Sequence, residues 1–231
     1  MSTITRPEDI IVEFLRARLT DPRGRHTAET DSFTATSGQT DFVLTPATSS
    51  DQVRAITSVV VDSVTKLKWQ DYTIDLLAKT VTLKTGATED DAVVIKYLSS
   101  AVGEEWIYPG WPISTLAKTK FPRISVLVLE KPGDRNGPYT ASVTHRVLFQ
   151  IDCWVKDGYS KTVSGKYYAK QDLAEYLGYQ VEKAFINNVN DLFDMLYDYE
   201  GITFGNLPYE EDTQKYHHGQ RIVLYGTNVG H

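Results

Sequence analysis

The chain has 231 residues, of which 41% are apolar and 11% aromatic, so it can bury a core in one large domain or two small ones. A net charge of -6 argues against nucleic-acid binding as the main activity, because a phosphate-binding surface needs clustered cations. No stretch approaches the ~20 apolar residues of a membrane helix. Residues 1–21 lack the apolar region of a signal peptide, and the lone Cys153, which we expect to be buried, excludes a disulfide within the chain.

The first predicted element is a helix over residues 4–20. Thr5 and Glu8 have the spacing of a capping box, and Pro7 lies in the first turn, where a proline is tolerated. Asp21 and the Pro-Arg-Gly that follows it end the helix. The apolar residues form one stripe, which we expect to cover a core: Ile10, Ile11, Phe14, Leu15 and Leu19.

The chain changes character over residues 27–99, which are rich in Thr, Ser, Val and Asp and have no helical period. Short strands at close spacing are typical of a small sandwich or barrel. We therefore predict an all-β module over residues 27–99, inserted after the first helix with its two ends close together. The predicted strands cover residues 32–35, 41–44, 55–61, 72–74, 80–84 and 92–97.

Residues 100–120 are predicted to link the module back to the rest of the chain. They contain Trp106, Tyr108 and Trp111 beside prolines. Such aromatic side chains could dock a partner, stack on a sugar or fasten the loop to its own domain.

Two apolar runs, residues 121–130 and 142–156, predict a β-hairpin, because the KPGDRNGPY between them carries two prolines, two glycines and an Asn-Gly step. In the second run one face is the more apolar, and the opposite face keeps Leu148 and Trp154. This pattern suits a central sheet that helices cover on one face and that is partly buried on the other. The residues predicted on the apolar face are Val143, His145, Val147, Phe149, Ile151 and Cys153.

After a loop over residues 159–165, a second helix is predicted over residues 166–187. A short helix or turn and then a strand follow within residues 191–205, and a last strand covers residues 220–226 between two glycines. The residues predicted to build the core are Ile10, Phe14, Val147, Phe149, Leu173 and Leu177.

The sequence has no P-loop, no Gly-x-Ser-x-Gly elbow and no Gly-x-Gly-x-x-Gly, so we expect no enzyme and no cofactor. The adjacent His217 and His218 lack the further ligands of a zinc site. Asp152 and Lys156 suggest a nuclease strand, but Trp154 takes the place of the second carboxylate that would hold the metal. Five clustered tyrosines suit a subunit interface and ordinary packing equally well: Tyr159, Tyr167, Tyr168, Tyr176 and Tyr179.

Two stretches of the β-rich region resemble small β-sandwich modules of phage tail and virion proteins. They are FTATSGQTDFVL and WQDYTIDLLAKTVTLKTGATEDDAVVIKYL. In those modules a Gly-Gln-Thr turn precedes a Phe-x-Leu strand, and an Asp-Tyr-Thr-Ile stretch precedes a hairpin. The resemblance implies a virion module but no particular ligand.

Without that module the predicted order is helix, hairpin, helix, strand, which resembles the tail terminator or tail-completion proteins of long-tailed phages. The stretches that carry the resemblance are PEDIIVEFLRARL, PRISVLVLE, HRVLFQIDCWV, VEKAF and RIVLYG. The fold implied is α+β, with an antiparallel or mixed sheet flanked by two main helices. Its discontinuous core domain would span residues 1–26 and 100–231, with the small all-β sandwich of residues 27–99 inserted.

The resemblance implies a structural virion protein without catalysis, assembled in the host cytoplasm and located in the tail or neck. Its partners would be further copies in a homohexameric ring, the major tail tube protein and a neck, head-completion or connector protein. DNA would only pass through the lumen, and no membrane is involved. The alternative is a host-receptor or glycan-binding virion protein that acts through the β module, with Trp69, Trp106 and Trp111 stacking on sugar. The residues expected at subunit or ring contacts are Lys131, Asp134, Arg135, Asn136, Tyr139, Tyr159, Lys161 and Tyr167.

Overall fold

The computed structural model describes residues 7–68, 70–110, 120–130, 133–135, 142–188, 198–210 and 215–229. Within these ranges the chain forms two helices and four sheets, which confirms the predicted α+β class. The chain divides into two compact units. The core unit comprises Met1–Leu15 and Trp106–His231, and the β-rich unit comprises Arg16–Glu105.

The helices and strands are numbered here in chain order. The helices are α1 (Pro7–Arg18) and α2 (Lys170–Asn188). The strands of the β-rich unit are β1 (Thr27–Thr34), β2 (Asp41–Val43), β3 (Gln52–Val61), β4 (Val64–Thr65), β5 (Tyr72–Asp75), β6 (Thr80–Leu83) and β7 (Ala92–Ser100). The strands of the core unit are β8 (Ile107–Pro109), β9 (Arg123–Glu130), β10 (Gly133–Arg135), β11 (Ser142–Lys156), β12 (Ser160–Val163), β13 (Lys166–Ala169), β14 (Asp198–Glu210) and β15 (Lys215–Val229).

The core unit is built on a six-stranded sheet, called the large sheet here, with the order β14-β15-β11-β9-β8 and with β10 also pairing with β11. Its pairings are antiparallel except that of β8 with β9. The predicted pairing of residues 121–130 with residues 142–156 is confirmed, since β9 and β11 run antiparallel from Leu148 opposite Glu130 to Trp154 opposite Arg123. The two 15-residue strands β11 and β15 pair along their whole length.

One face of β11 is apolar, as predicted. Its described members Val147, Phe149, Ile151 and Cys153 are all buried. The helix α2 packs against β11 and β15, and the ring of Phe14 in α1 lies 5.0 Å from that of Phe185 in α2. Of the predicted core residues, Ile10 is only half-buried, and the others are buried: Phe14, Val147, Phe149, Leu173 and Leu177.

The opposite face of β9 and β11 is more buried and more polar than the sequence pattern indicates. Arg123, Ser125 and Asp152 are buried there beside Trp154. The guanidinium carbon of Arg123 lies 4.1 Å from the centre of the Tyr108 ring, which is a cation–π contact. A period of two predicts which residues share a face, but it does not predict that polar residues on the second face are enclosed.

The β-rich unit contains a four-stranded sheet with the order β1-β7-β3-β4 and a three-stranded sheet with the order β2-β6-β5. Thr27 at the start of β1 is paired with Ser99 in β7, so the ends of the predicted module are adjacent, as expected. Both sheets contribute to one cluster of buried side chains, and this cluster lies wholly within the unit. Its members are Ala35, Phe42, Leu44, Val53, Ile56, Val59, Val61, Tyr72, Val81, Leu83, Ala87, Val93, Ile95 and Tyr97.

The Gly-Gln-Thr turn of this unit has a clear physical basis. Gly38 has a φ of +76°, which glycine adopts at little cost. Its N–H donates to the carbonyl of Ala87 at 2.8 Å, and the Ala87 N–H donates to the carbonyl of Gln39 at 2.9 Å. A Cβ on Gly86 would lie 2.7 Å from the Gly38 carbonyl oxygen. Two glycines therefore allow this close backbone approach.

The structure corrects several predicted elements. Residues 159–165 are not a loop, because β12 and β13 form a hairpin whose two-residue turn is Ser164-Gly165. Both turn residues have positive φ, 50° and 79°, the geometry of a tight hairpin turn that matches strand twist. The second helix consequently begins at Lys170 rather than at residue 166. Ser164-Gly165 is a dipeptide typical of a tight turn, so the sequence contained evidence for the hairpin. The apolar stripe that follows it favoured a helix starting at residue 166 instead.

Other helix and strand ends differ from the predicted ones, because tertiary packing outweighs the local effect of turn-forming residues. The first helix, predicted over residues 4–20, is described from Pro7 to Arg18. Residues 4–6 lie outside the described residues, and the helix ends two residues earlier than predicted. The strand β15 runs through both glycines that were expected to bound it. Part of KPGDRNGPY is the strand β10, and the linker contains the strand β8. Of residues 191–205, the part up to 197 lies outside the described residues, and β14 begins at Asp198.

Candidate assembly surface

The β12–β13 hairpin forms a separate two-stranded sheet on the core unit. It packs on α2, where the ring of Tyr168 lies 4.6 Å from that of Tyr176. The ammonium nitrogen of Lys166 lies 5.0 Å from the centre of the Tyr168 ring. Burial and the neighbouring Tyr168 raise the pKa of the Tyr176 phenol above its ordinary value. One face of the hairpin is thus fixed to the helix.

The other face of the hairpin is open to solvent. Tyr167 is 65% exposed, and Lys161 and Lys166 are exposed. The register pairs Lys161 with Tyr168 and Thr162 with Tyr167. Because successive pairs alternate between the two faces, Tyr167 lies on the outer face and Lys161 on the face that carries Tyr168. Tyrosine is one of the residue types that protein interfaces favour, whereas lysine is depleted there, so Tyr167 is the contact candidate on this hairpin.

The other residues expected at subunit or ring contacts lie elsewhere on the core unit or outside the described residues. Tyr159 is half-buried, and its N–H donates to the carbonyl of Lys156 at 3.2 Å. Asp134 and Arg135 belong to β10 and pair with Thr144 and Val143 of β11. Lys131, Asn136 and Tyr139 lie outside the described residues. The structure therefore places Lys161 and Tyr167 on opposite faces of the hairpin, and Asp134 and Arg135 on the large sheet.

The large sheet ends in strands of very different length. At one end β14 has 13 residues and pairs with β15, and among the described strands it has no second partner. At the other end β8 has three residues. A long edge strand presents a row of backbone donors and acceptors to which another chain can pair.

The helix α2 also exposes apolar side chains, and one of them, Tyr179, belongs to the tyrosine cluster considered for a subunit interface. Tyr179 and Ile186 are each 58% exposed and lie seven residues apart, so they are on the same side of the helix. They extend the exposed apolar area of the core unit beyond the hairpin.

The three tryptophans considered for sugar stacking have different outcomes. Trp106 is fully buried, and its carbonyl accepts the Ile124 N–H at 2.7 Å, so it fastens the linker to the large sheet and is closed to a sugar ring. Trp69 and Trp111 lie outside the described residues.

The residues that suggested metal chemistry do not form an open site where they are described. Asp152 is fully buried in β11, and its two carboxylate oxygens lie 3.2 and 2.9 Å from the Gln150 Nε2 donor. Burial, together with the Asp152 charge, raises the pKa of Cys153 well above its usual range. In the described ranges, no three His, Cys, Asp or Glu residues are grouped to hold a metal ion.

The β-rich unit contains two buried charge clusters that the sequence pattern did not predict. Asp21 accepts hydrogen bonds from the Arg25 guanidinium at 2.7 and 2.8 Å and from the backbone N–H of Arg25 at 2.7 Å. Arg54 donates to Ser100 Oγ at 2.8 Å and to the Ala101 carbonyl at 3.0 Å, and it forms an ion pair with Glu105. Charged residues are mostly exposed in proteins, so the sequence gave no reason to expect that these would be buried.

Comparisons with known protein families and with curated proteins identified no relative of the chain. No protein-family model matches the chain, and no curated protein matches it. In the portion of the chain that is described, neither helix has the length and apolar character needed to cross a membrane.

Proposed function

We propose that this chain is a structural virion protein of the tail-terminator or tail-completion type. The observation that carries the proposal is the discontinuous core unit. The first 15 residues and the chain from Trp106 onward belong to one compact body, in which Phe14 packs against Phe185. The helix-backed sheet predicted from the family resemblance has this same construction.

The proposed assembly is a hexameric ring of identical chains that ends the tail tube and joins it to the neck. The edge strand β14 and the exposed hairpin lie on different elements of one chain, so a head-to-tail contact between them can repeat around a ring. The partners proposed on the two ring faces are the tail tube protein and a neck or connector protein. The DNA would pass through the lumen without sequence-specific contacts, and the protein would have no catalytic role.

We propose that the β-rich unit is a virion-type β-sandwich carried on the outside of the ring. Two sheets that share one cluster of buried side chains support this proposal. The positive φ of Gly38 also supports it, because this glycine belongs to the Gly-Gln-Thr turn that carries the resemblance. A unit with its own core can be inserted without participating in the ring contacts.

Electron microscopy and native mass spectrometry of the purified protein, with and without isolated tail tubes, test the proposed ring. We expect closed rings of six chains, either in solution or at the tube end. Tubes that bind no copy of the protein, together with a chain that stays monomeric alone, would contradict the proposal. Bovine serum albumin added to the same tubes controls for adsorption to the tube end.

A further inference from the structure

The side of α2 that faces away from the core carries a regular row of residues, called the outer seam here. Its members follow one another at alternating steps of four and three residues: Asp172, Tyr176, Tyr179, Lys183 and Ile186. Residues at such steps lie along one side of a helix. Four of the five are exposed, and Tyr176 is half-buried and in contact with Tyr168.

The outer seam is a surface that a second helix can cover. The opposite side of α2 carries Leu173, Leu177 and Val181, which are buried within the core unit. The outer seam instead exposes two large apolar side chains, Tyr179 and Ile186. Steps of four and three residues are the spacing at which one helix packs lengthwise along another. The seam therefore has the spacing of a helix contact that the monomer does not use.

The order of residues along the outer seam is self-complementary. Asp172 lies four residues before Tyr176, and Lys183 lies four residues after Tyr179. When two copies of α2 run antiparallel about the midpoint between these tyrosines, Asp172 of each copy falls opposite Lys183 of the other. Tyr176 then falls opposite Tyr179. A parallel pair would set Asp172 against Asp172 and Lys183 against Lys183, so the charges favour the antiparallel pair.

We infer that the outer seam of α2 pairs antiparallel with the outer seam of a second copy of this chain. The same surface is used on both copies, so the contact closes on itself and joins two chains. The tyrosines supply contact area at its centre, and the Asp172–Lys183 pairs fix its direction. This inference goes beyond the proposed ring, whose head-to-tail contact is drawn from other elements, and it does not depend on that ring.

Charge reversal in the full-length protein tests the pairing. Lys183→Glu and Asp172→Lys each set like charges against one another at both ends of the antiparallel pair. Self-association is measured by sedimentation velocity at about 50 mM and about 500 mM salt, because salt screens exposed charges. We expect wild-type dimers that weaken at the higher salt concentration. Each reversal should weaken dimerisation roughly tenfold or more at the lower salt concentration.

The decisive measurements restore the complementarity in two ways. A chain with both substitutions exchanges the two charges and should dimerise like the wild type. An equimolar mixture of the two single variants should form mixed dimers, because every charged contact between them then joins opposite charges. Lys96→Glu and Glu89→Lys are the matched controls, since both residues are exposed on the β-rich unit and the net charge changes by the same amounts. Both controls should dimerise like the wild type.

A further variant, Tyr179→Ala, tests the centre of the outer seam without changing any charge. It should weaken dimerisation at both salt concentrations, whereas the stability of the monomer should change little because Tyr179 is exposed. Circular dichroism of every variant checks that the fold is retained. This variant carries the test if Asp172→Lys, which puts a cation in the first turn of α2, reduces the helix content.

Four results would overturn the inference. They are a wild-type chain that stays monomeric at low salt, single reversals that dimerise normally, a double variant or mixture that does not recover, and a Tyr179→Ala chain that dimerises like the wild type. Loss of tail-tube binding by Tyr179→Ala with unchanged self-association would also overturn it, because the seam would then contact another protein. The number of chains in a ring on tail tubes is a separate measurement and tests the proposed function alone.

Discussion

At the scale of single residues, Asp21 and Arg25 connect the end of α1 to the first strand of the β-rich unit. The side chains of both are buried, and Asp21 also accepts the backbone N–H of Arg23 at 3.0 Å. Burial by itself raises the pKa of Asp21, but the hydrogen bonds from Arg25 and Arg23 outweigh it, so the pKa is lowered. A lowered pKa means that the folded state favours the ionised carboxylate.

We expect Asp21→Asn to lower the free energy of unfolding by about 2–4 kcal/mol, because a buried guanidinium loses its charged acceptor. In the wild type this stabilisation is present above the ordinary pKa of 3.8 and is lost as the pH falls through the lower folded pKa. Urea unfolding across pH 2–7 would measure both effects. The exposed Glu89→Gln is the control, and an Asp21→Asn chain as stable as that control would contradict the role given to the pair.

His26 lies next to this pair and has the opposite preference. Both ring nitrogens are buried and form no hydrogen bond in the described chain. Burial lowers the pKa of His26, Asp21 opposes this effect, and the cations of Arg16, Arg25 and Arg54 add to it, so the pKa falls to about 4. The folded state therefore holds a neutral imidazole at a pH where the unfolded chain binds a proton.

Stability should consequently fall as the pH drops from 6.5 to about 4, since only the unfolded chain gains a proton in that range. The slope for one full proton is about 1.4 kcal/mol per pH unit, and the partial exposure of His26 reduces it. We expect His26→Phe to flatten the unfolding free energy over this range. An unchanged slope in the variant would show that other groups cause the pH dependence.

At the scale of elements, α2 performs two tasks with two faces. Its buried face carries Phe185, which is 1% exposed and packs on Phe14. Its other contacts hold the hairpin through Tyr176. The stripe of apolar residues in the sequence predicted that this face of α2 is buried. The contact with the hairpin was not predicted, because the hairpin depends on the pairing of β12 with β13 across Ser164-Gly165.

We expect Phe185→Ala to cost about 3–5 kcal/mol of unfolding free energy, because the truncation leaves a cavity between α1 and α2. The neighbouring Ile186→Ala is the matched control, since Ile186 is 58% exposed and should change stability by less than about 0.5 kcal/mol. Thermal and chemical unfolding of both variants would measure the difference. Equal effects of the two substitutions would contradict the packing of α2 on α1.

At the scale of the whole molecule, the chain divides into two compact units, and the β-rich unit has a buried cluster of its own. The cluster of the β-rich unit is drawn from residues within that unit alone. Its boundary lies beyond the predicted residues 27–99, because buried Arg54 is bonded to Ser100, Ala101 and Glu105. A fragment that ends at residue 99 removes these partners and leaves a buried cation.

We expect the isolated fragment Arg16–Glu105 to unfold in one cooperative transition, and the fragment of residues 27–99 to be less stable by about 3 kcal/mol or more. Circular dichroism during heating measures the stability of both fragments.

The full chain with residues 27–99 replaced by a short linker should keep the core unit folded and able to assemble. Fragments of equal stability would contradict the boundary, and a collapsed core unit would show that the two units do not fold separately.

The sequence by itself determined the α+β class, the pairing of the runs before and after KPGDRNGPY, both helices, the apolar face of β11 and the burial of Cys153. Local periodicity and turn residues carry that information along the chain. Only the tertiary structure decided the order of the strands, the extension of β15 through its glycines, the burial of Arg54 and Asp152, and the turn of the β12–β13 hairpin. Each of these depends on residues far apart in sequence or on which surfaces lose water, and neither quantity is a local property.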